Sequence, residues 1–147
     1  MISPNLIKDL SALLGAENVF TSEADRQCYS YDSAVLPPKV PALVLRPTQT
    51  EQIGEVVRLC YEAGLAITVR GTVSNFSGGT VPDTVDSAVI LTNSLQKILE
   101  INTEDLYAVV QPGVVTAQFA AAVEAKGLFY PPDPGSMSVS TLAGNIA

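Results

Sequence analysis

Residues 42–79 read ALVLRPTQTEQIGEVVRLCYEAGLAITVRGTVSNFSGG, and the arrangement of apolar residues in this stretch decides the fold. A short apolar run comes first, a segment with apolar residues at helical spacing follows, and a second apolar run occupies 66–69. A strand, a helix and a strand within about thirty residues predict a βαβ unit with a pair of parallel strands. Thr48 to Glu51 fits a capping box that opens the helix, and Gly64 marks its end.

A glycine-bearing loop from Arg70 to Gly79 directly follows the second strand. Small residues and positive φ angles allow consecutive backbone N–H groups to turn toward one point, which favours phosphate binding. The loop lacks the G-x-G-x-x-G spacing of Rossmann folds, and the chain has no Gly-Lys-Ser/Thr triplet of the Walker A type. An ordinary glycine-rich surface connection explains the residue pattern about as well as a phosphate site does. The pattern alone leaves both interpretations open.

The N-terminal part of the chain predicts one helix and a linker. Ser3 can cap a helix that has Pro4 in its first turn, and leucine and isoleucine recur on one face until Gly15. Prolines between 37 and 41 then mark a connection into the main body. We therefore expect residues 1–40 to form an N-terminal helix and linker.

The rest of the chain predicts a small mixed sheet and one more helix. Thr116 is expected to cap that helix, which ends at Gly127. Three further apolar runs predict strands at 87–91, 98–101 and 106–111. Together with the βαβ unit, these segments predict an α+β domain over residues 41–147.

Composition limits the classes of function. A chain of 147 residues with 47% hydrophobic and 16% charged residues predicts a globular protein and not a disordered one. The net charge of -7, without a run of Lys or Arg, argues against nucleic acid as a partner. Without histidine, and with Cys28 and Cys60 far apart, a zinc site is not expected, and Cys60 should be a buried apolar residue. The N-terminal sequence predicts neither a signal peptide nor a membrane span, so a cytoplasmic location is expected.

Six motifs along the chain resemble, in their order, those of a known family of flavin enzymes. They are Tyr31-Asp32-Ser33, Pro47-Thr48, the Arg70–Gly79 loop, Gln111-Pro112-Gly113-Val114, Pro131-Pro132-Asp133-Pro134-Gly135-Ser136 and Thr141–Ala147. This set resembles the FAD-linked oxidases of the vanillyl-alcohol-oxidase and p-cresol-methylhydroxylase (PCMH) type. Within that superfamily it is most similar to the D subunit of glycolate oxidase and the related D-lactate dehydrogenases. The resemblance implies the first half of a PCMH-type FAD-binding domain, in an enzyme that oxidises 2-hydroxy acids with a bound flavin.

The resemblance also implies which residues contact the cofactor. In the family, backbone N–H groups of the Arg-Gly loop surround the FAD pyrophosphate, and the two later motifs line the path toward the flavin ring. The implied contacts are Arg70, Gly71, Thr72, Val73, Ser74, Asn75, Pro132, Asp133, Ser136, Thr141, Gly144, Asn145 and Ile146. Because the chain is acidic, it must hold a pyrophosphate through such local donors. Arg70 is expected to matter for its position and not for its side chain.

Three positions depart from the family pattern. Relatives usually carry Arg-Gly-x-Gly-Thr, whereas this chain has Val73 and Ser74 at the last two places. Because a β-branched residue disfavours positive φ, Val73 is expected to reshape the loop or to weaken its binding. Some members attach FAD through a histidine at the place of Ser74, so any flavin here is expected to be held non-covalently. Val85-Asp86-Ser87 stands where relatives usually carry Gly-Gly.

Length is the largest departure, because the family's flavin domain continues past Asn145 and its substrate domain, with the catalytic residues, lies further downstream. The resemblance therefore implies a truncated FAD-binding portion, without catalytic or metal-binding residues, whose partners are FAD and either the missing C-terminal half or a second copy. The alternative is a repurposed fold without flavin that acts as a self-associating structural or interaction module. A phosphate-ligand binder without flavin is a third hypothesis, and it depends on the loop alone.

Overall fold

The computed structural model describes residues 2–147 as two small sheets with helices packed against them. The helices are α1 (Pro4–Leu14), α2 (Glu23–Gln27), α3 (Gln52–Glu62), α4 (Thr116–Glu124) and α5 (Leu142–Ile146), and a 3-10 turn covers Ala16–Asn18. The strands are β1 (Val19–Phe20), β2 (Leu43–Leu45), β3 (Ala66–Arg70), β4 (Ser87–Leu91), β5 (Ile98–Asn102) and β6 (Tyr107–Val110). The α+β class predicted from the sequence is confirmed.

The four-stranded sheet has the order β1-β2-β4-β3. Strands β2 and β3 both run parallel to β4, while β1 pairs with β2 in the antiparallel sense. The predicted βαβ unit is present as β2, α3 and β3, but β4 lies between its two strands, so they are parallel without pairing directly. The reason is burial: every residue of β4 is buried and fits the centre of the sheet, whereas Ile67 and Val69 of β3 are exposed at the edge.

The main core lies between α1, α3 and the four-stranded sheet. Helix α1 begins as predicted, with Pro4 in its first turn and the Ser3 hydroxyl accepting the N–H of Asn5. Its buried leucines pack with residues of β2, α3 and β4; the cluster contains Leu6, Leu10, Leu14, Leu43, Leu45, Val56, Cys60, Ala88 and Ile90. Cys60 is buried as predicted, and burial raises the pKa of its thiol to about 11.

A second core lies between the β5-β6 hairpin, α4 and α5. Its buried residues are Val114, Phe119, Val123 and Leu142. The rings of Phe119 and Tyr130 meet edge to face with their centroids 4.9 Å apart. Because Leu142 belongs to α5, this core fixes the short helix at the place where the candidate site begins.

Two predicted helix caps are wrong. Helix α3 begins at Gln52, and the Gln52 side chain accepts the N–H groups of Thr48 and Gln49 at 2.9 and 3.0 Å, so no capping box forms at 48–51. Thr116 is the first residue of α4 and not its cap, because the cap position belongs to Val115. Local spacing determines neither cap, because the Gln52 side chain binds the amides before α3 and the Thr116 hydroxyl donates to the carbonyl of Ser140.

Candidate functional site

A cleft of about 460 Å³ opens between the loop after β3 and the N-terminal end of α5. Small-molecule sites in proteins span about 300 to 1,000 Å³, so the cleft has the size of a ligand site. Among the described residues that line it, none has a charged side chain, and most of the polar ones carry hydroxyl groups. The lining residues are Val69, Gly71, Thr72, Val73, Ser74, Asn75, Ser77, Gly79, Thr80, Thr92, Pro112, Ser140, Thr141, Ala143, Gly144 and Ala147.

The backbone of the loop beside this cleft has free hydrogen-bond donors. Within residues 2–147, the N–H groups from Gly71 to Phe76 donate no hydrogen bond. The run ends at Ser77 and Gly78, whose N–H groups both reach Oδ1 of Asn75 at 3.2 Å. Backbone donors in partly buried positions require a partner, either water or a ligand, and successive free amides form a concave site for an anion.

The loop and α5 approach each other closely around one hydroxyl group. A Cβ atom placed on Gly71, or on Gly144, would lie 3.1 Å from Oγ1 of the buried Thr141. Thr141 caps α5 by accepting the N–H of Gly144 at 3.3 Å. The lack of a side chain at Gly71 therefore allows the loop to approach α5 closely. The free donors come from the loop, because the first three amides of α5, those of Leu142, Ala143 and Gly144, are already paired.

Val73 lies in the left-handed region of backbone conformation, with φ of 60°. This conformation costs an L-residue with a side chain about 1–2 kcal/mol, and β-branched residues rarely adopt it. Val73 thus adopts the positive φ that a β-branched residue was expected to avoid, and the loop is strained at this position.

The side chain of Arg70 points away from the cleft. It is buried, its Nη1 donates to the carbonyl oxygen of Tyr29 at 3.2 Å, and its guanidinium carbon lies 5.4 Å from the centroid of the Tyr29 ring. Burial lowers the pKa of this guanidinium, and the nearby Asp32 carboxylate acts in the opposite direction. Arg70 thus supports the start of the loop through its side chain and does not line the cleft.

The structure brings together part of the predicted contact set. Seven of the thirteen residues line the cleft: Gly71, Thr72, Val73, Ser74, Asn75, Thr141 and Gly144. Pro132 and Asp133 are exposed outside it, and the carbonyl of Ser136 accepts the N–H groups of neighbouring residues in a turn. Asn145 donates to Oγ1 of Thr116 at 2.8 Å, which holds α5 against α4.

Thr92 is a cleft residue that the sequence pattern did not identify. It directly follows β4, and its hydroxyl and N–H both donate to the carbonyl of Arg70, at 3.4 and 3.0 Å. A usable signal was present, because the carboxyl ends of neighbouring parallel strands lie at the same edge of a sheet and commonly form binding sites there. The sequence predicted β4 as a strand but not its place beside β3, so this signal did not lead to Thr92.

An apolar groove of about 500 Å³ lies on the other side of α5, beside the β5-β6 hairpin. Its walls include Leu106, Phe129 and Ile146, which are exposed by 72%, 74% and 84%. Exposed apolar residues that form a continuous surface commonly mark an interface. Ile146, a predicted cofactor contact, belongs to this groove and not to the polar cleft.

Neither a cluster of metal-binding side chains nor a membrane-spanning helix occurs among the described residues. Across residues 2–147, no three side chains of the His, Cys, Asp and Glu types come together as a metal site. No helix among these residues has the length and apolar character that crossing a bilayer requires. The cytoplasmic location expected from the N-terminal sequence stays a prediction.

Comparison with known proteins identifies the family. Residues 41–147 match the family described as "FAD binding domain". The chain belongs to this family. Glycolate oxidase subunit GlcD of Bacillus subtilis is 43% identical over 146 residues, which cover 99% of this chain and 31% of that relative. D-lactate dehydrogenase of Anaerostipes hadrus is 28% identical over 148 residues, which cover 99% of this chain and 30% of that relative.

A solved structure shows the same fold. The crystal structure of p-cresol methylhydroxylase with substrate bound matches with a TM-score of 0.73 and 26% identity, over 84% of this chain and 25% of that one. The resemblance drawn from the motifs is therefore confirmed, FAD is the cofactor of the family, and the matches do not favour the hypothesis of a repurposed fold without flavin. The chain spans about 30% of the length of the glycolate oxidase subunit and of the D-lactate dehydrogenase.

Proposed function

We propose that this chain is the FAD-binding portion of a flavin-dependent 2-hydroxy-acid oxidoreductase, similar to glycolate oxidase and D-lactate dehydrogenase, and that it holds FAD non-covalently. When bound, FAD supplies the hydride acceptor for such a reaction. The observation that carries the proposal is the run of free N–H groups from Gly71 to Asn75, five successive residues that line the polar cleft. Ser74, which stands where some relatives carry the attachment histidine, is the reason for proposing a non-covalent flavin.

The pyrophosphate is the part of FAD that these donors fit best. With a net charge of -7, the chain repels anions at long range, and the described cleft residues provide no cationic side chain to offset that field. Backbone amides, assisted by the hydroxyls of Thr72 and Ser74, are the available donors, and hydrogen bonds to an ionised acceptor are about twice as strong as neutral ones. FAD affinity should therefore depend on the geometry of the loop more than on ionic strength.

Six of the predicted contacts lie outside the cleft, and we propose a role for each of them. Asn145 holds α5 through Thr116, and Arg70 fixes the start of the loop from below. Pro132, Asp133, Ser136 and Ile146 are proposed to meet the parts of FAD beyond the pyrophosphate. We further propose that residues 41–147 form the FAD-binding unit and residues 1–40 its supporting helix and linker.

The apolar groove beside the hairpin suggests a partner surface. In a protein of the relatives' length, the remainder of the FAD-binding domain is the occupant that we propose for it, and a second copy of the chain is the alternative. Light scattering coupled to size-exclusion chromatography separates the two. A dimer of the 147-residue chain that Phe129→Ser and Ile146→Ser dissociate supports the second copy, while a monomer over the accessible concentration range contradicts it.

The test of FAD binding is a titration of the 147-residue chain with FAD, followed by flavin fluorescence and by the thermal midpoint. We expect saturable binding that raises the midpoint, because a ligand that binds the folded state stabilises it. Gly71→Val should weaken binding at least about tenfold, since its side chain meets Thr141 and fills the cleft. Gly54→Val is the matched control, because a Cβ atom there meets nothing within 4 Å and Gly54 lies in α3, outside the cleft.

Competition experiments separate FAD binding from other phosphate binding. ADP should compete with FAD, and riboflavin should compete far less, if the loop holds the pyrophosphate. Equal affinity for ADP and FAD would favour a phosphate-ligand binder that does not recognise flavin. The absence of saturable FAD binding by the folded chain would contradict the proposed function.

A further inference from the structure

The far end of the cofactor loop is tied to a motif that the proposed function has not used. Oδ2 of Asp32 accepts the hydroxyl of Thr80 at 2.9 Å, and the Thr80 oxygen accepts the side-chain N–H of Asn75 at 3.1 Å. Asn75 in turn accepts the N–H groups of Ser77 and Gly78. One chain of hydrogen bonds thus runs from Asp32, 48 residues away from Thr80 in sequence, into the loop.

The start of the loop depends on the same segment. Arg70 is buried against Tyr29. Its guanidinium donates a hydrogen bond to the Tyr29 carbonyl oxygen and lies over the Tyr29 ring. The negative charge of Asp32 favours the charged form of this arginine, which burial disfavours. The carboxylate is held in turn by the N–H of Ala34, which donates to Oδ1 at 2.7 Å. Asp32 is therefore hydrogen-bonded to the far end of the loop, and its charge lies near the arginine at the start.

The loop needs such support because its own backbone gives it little. Its free N–H groups make no internal hydrogen bonds, and Val73 is in a strained conformation. An unsupported loop would sample many conformations, and binding a ligand would then cost the free energy of ordering it.

We propose that Asp32 is a positioning residue for cofactor binding: through Thr80 and Asn75 it holds the Gly71–Phe76 amides in the arrangement that receives the pyrophosphate. Asp32 does not line the cleft, so it acts through the loop and not by contact with the ligand. The effect of Asp32 on FAD affinity rests on the proposed function, but its effect on the order of the loop can be measured without FAD.

The experiment compares the wild-type chain with Asp32→Ala, Thr80→Val and the double variant. Thr80→Val removes the same link and leaves the charge beside Arg70, so it provides a folded test if Asp32→Ala unfolds the chain. Asp105→Ala, in the exposed hairpin turn, is the matched control for the loss of one negative charge. The first readout is the ¹⁵N order parameter of each backbone amide without ligand, and the second is FAD affinity by titration.

We expect order parameters of residues 71–80 to fall from about 0.85 to below about 0.6 in either single variant, with α1 and β4 unchanged. The double variant should fall no further than Asp32→Ala, because the hydrogen bond between Asp32 and Thr80 is already absent in that variant. FAD affinity of Asp32→Ala should fall about tenfold, the effect of losing a hydrogen bond to a charged group, while Asp105→Ala matches the wild type.

The outcomes separate this inference from the proposed function. Unchanged loop order in Asp32→Ala and Thr80→Val overturns it, and so does unchanged FAD affinity in an Asp32→Ala chain whose loop has become disordered. If no form of the chain binds FAD but the loop loses order as expected, the role of Asp32 in holding the loop stands and the proposed function fails.

Discussion

The main core and the cofactor loop differ in how well the backbone conformation suits the residues that adopt it. In the core, α1, α3, β2 and β4 bury apolar side chains at the spacing that their helices and strands require. In the loop, Val73 adopts a conformation that suits glycine, and the amides before Asn75 are left without partners. The difference shows that a well-packed scaffold can hold an unfavourable local geometry where a ligand needs it.

The largest effect should come from breaking the scaffold at α1. Leu10 is fully buried against the sheet, so Leu10→Ala should lower the free energy of unfolding by about 3 kcal/mol, through lost burial and the cavity that it leaves. Chemical denaturation measures this change. Leu99→Ala, at a residue that is 59% exposed, should cost under about 1 kcal/mol. An equally small effect of Leu10→Ala would mean that α1 is not part of the core.

The next largest effect should come from the junction between scaffold and cleft. A Cβ atom on Gly113 would contact the carbonyl oxygen of Thr92 and lie 2.8 Å from that of Leu95, and backbone atoms cannot move aside as a flexible side chain can. Gly113→Ala should therefore destabilise the chain by about 2 kcal/mol, measured by denaturation. Gly135→Ala meets open space and should be close to neutral. Equal stability of the two variants would contradict the tight packing at Gly113.

The sequence predicts those parts of the molecule that local patterns determine. Ser3, Pro4 and the leucine spacing identify α1, because capping and periodicity act within one turn or two. The place of β4 between β2 and β3 is not predicted, since pairs such as Ile67 and Ala88 join residues far apart in the chain. Helix α2 was missed although a signal existed: the Ser22 hydroxyl accepts the N–H of Asp25, the spacing of a helix cap.

The candidate site shows the same limit. The family pattern located the loop, although Val73 has the positive φ that a β-branched residue was expected to avoid. It did not indicate that Arg70 turns toward Tyr29, 41 residues away in sequence, or that Thr116 is used by Asn145 and not by its own helix. Side-chain partners that lie far apart in the chain are set by the assembled fold, and spacing carries no information about them.

A smaller effect concerns protonation within the core. Burial raises the pKa of Cys60 to about 11, whereas an unfolded thiol titrates near 9. Between these values the folded chain binds more protons than the unfolded chain, so stability falls as pH rises from 9 to 11 and is fully present below 9. At pH 10, the loss attributable to Cys60 should be about 1 kcal/mol.

Denaturation at several pH values measures this loss as a difference between variants. Above pH 9, the free energy of unfolding of Cys60→Ala should fall less steeply with pH than that of the wild type, whatever the stability of the variant at pH 7. Cys28→Ala should keep the wild-type decline, because Cys28 is exposed. Parallel curves for the wild type and Cys60→Ala would show that the thiol is not protected by the core.

The smallest effect on stability should come from relieving the strain in the loop. Val73→Gly removes the cost of a left-handed β-branched residue, about 1–2 kcal/mol, and adds flexibility to the unfolded chain, which offsets about 0.4–1 kcal/mol of that gain. We therefore expect a net stabilisation of about 0.5 to 1 kcal/mol by denaturation. Val85→Gly is the matched control, because Val85 is 60% exposed and is not among the residues with positive φ, so this change should only destabilise.

The same variant, Val73→Gly, also tests whether the valine only strains the loop or changes its shape as well. If Val73 already holds the turn that binds the pyrophosphate, Val73→Gly should change FAD affinity by less than about threefold, since the amides keep their arrangement while the strain is released. A large gain in affinity would mean that the valine distorts the loop and not merely strains it. A loss of stability in Val73→Gly, matching that of Val85→Gly, would contradict the left-handed conformation at position 73 itself.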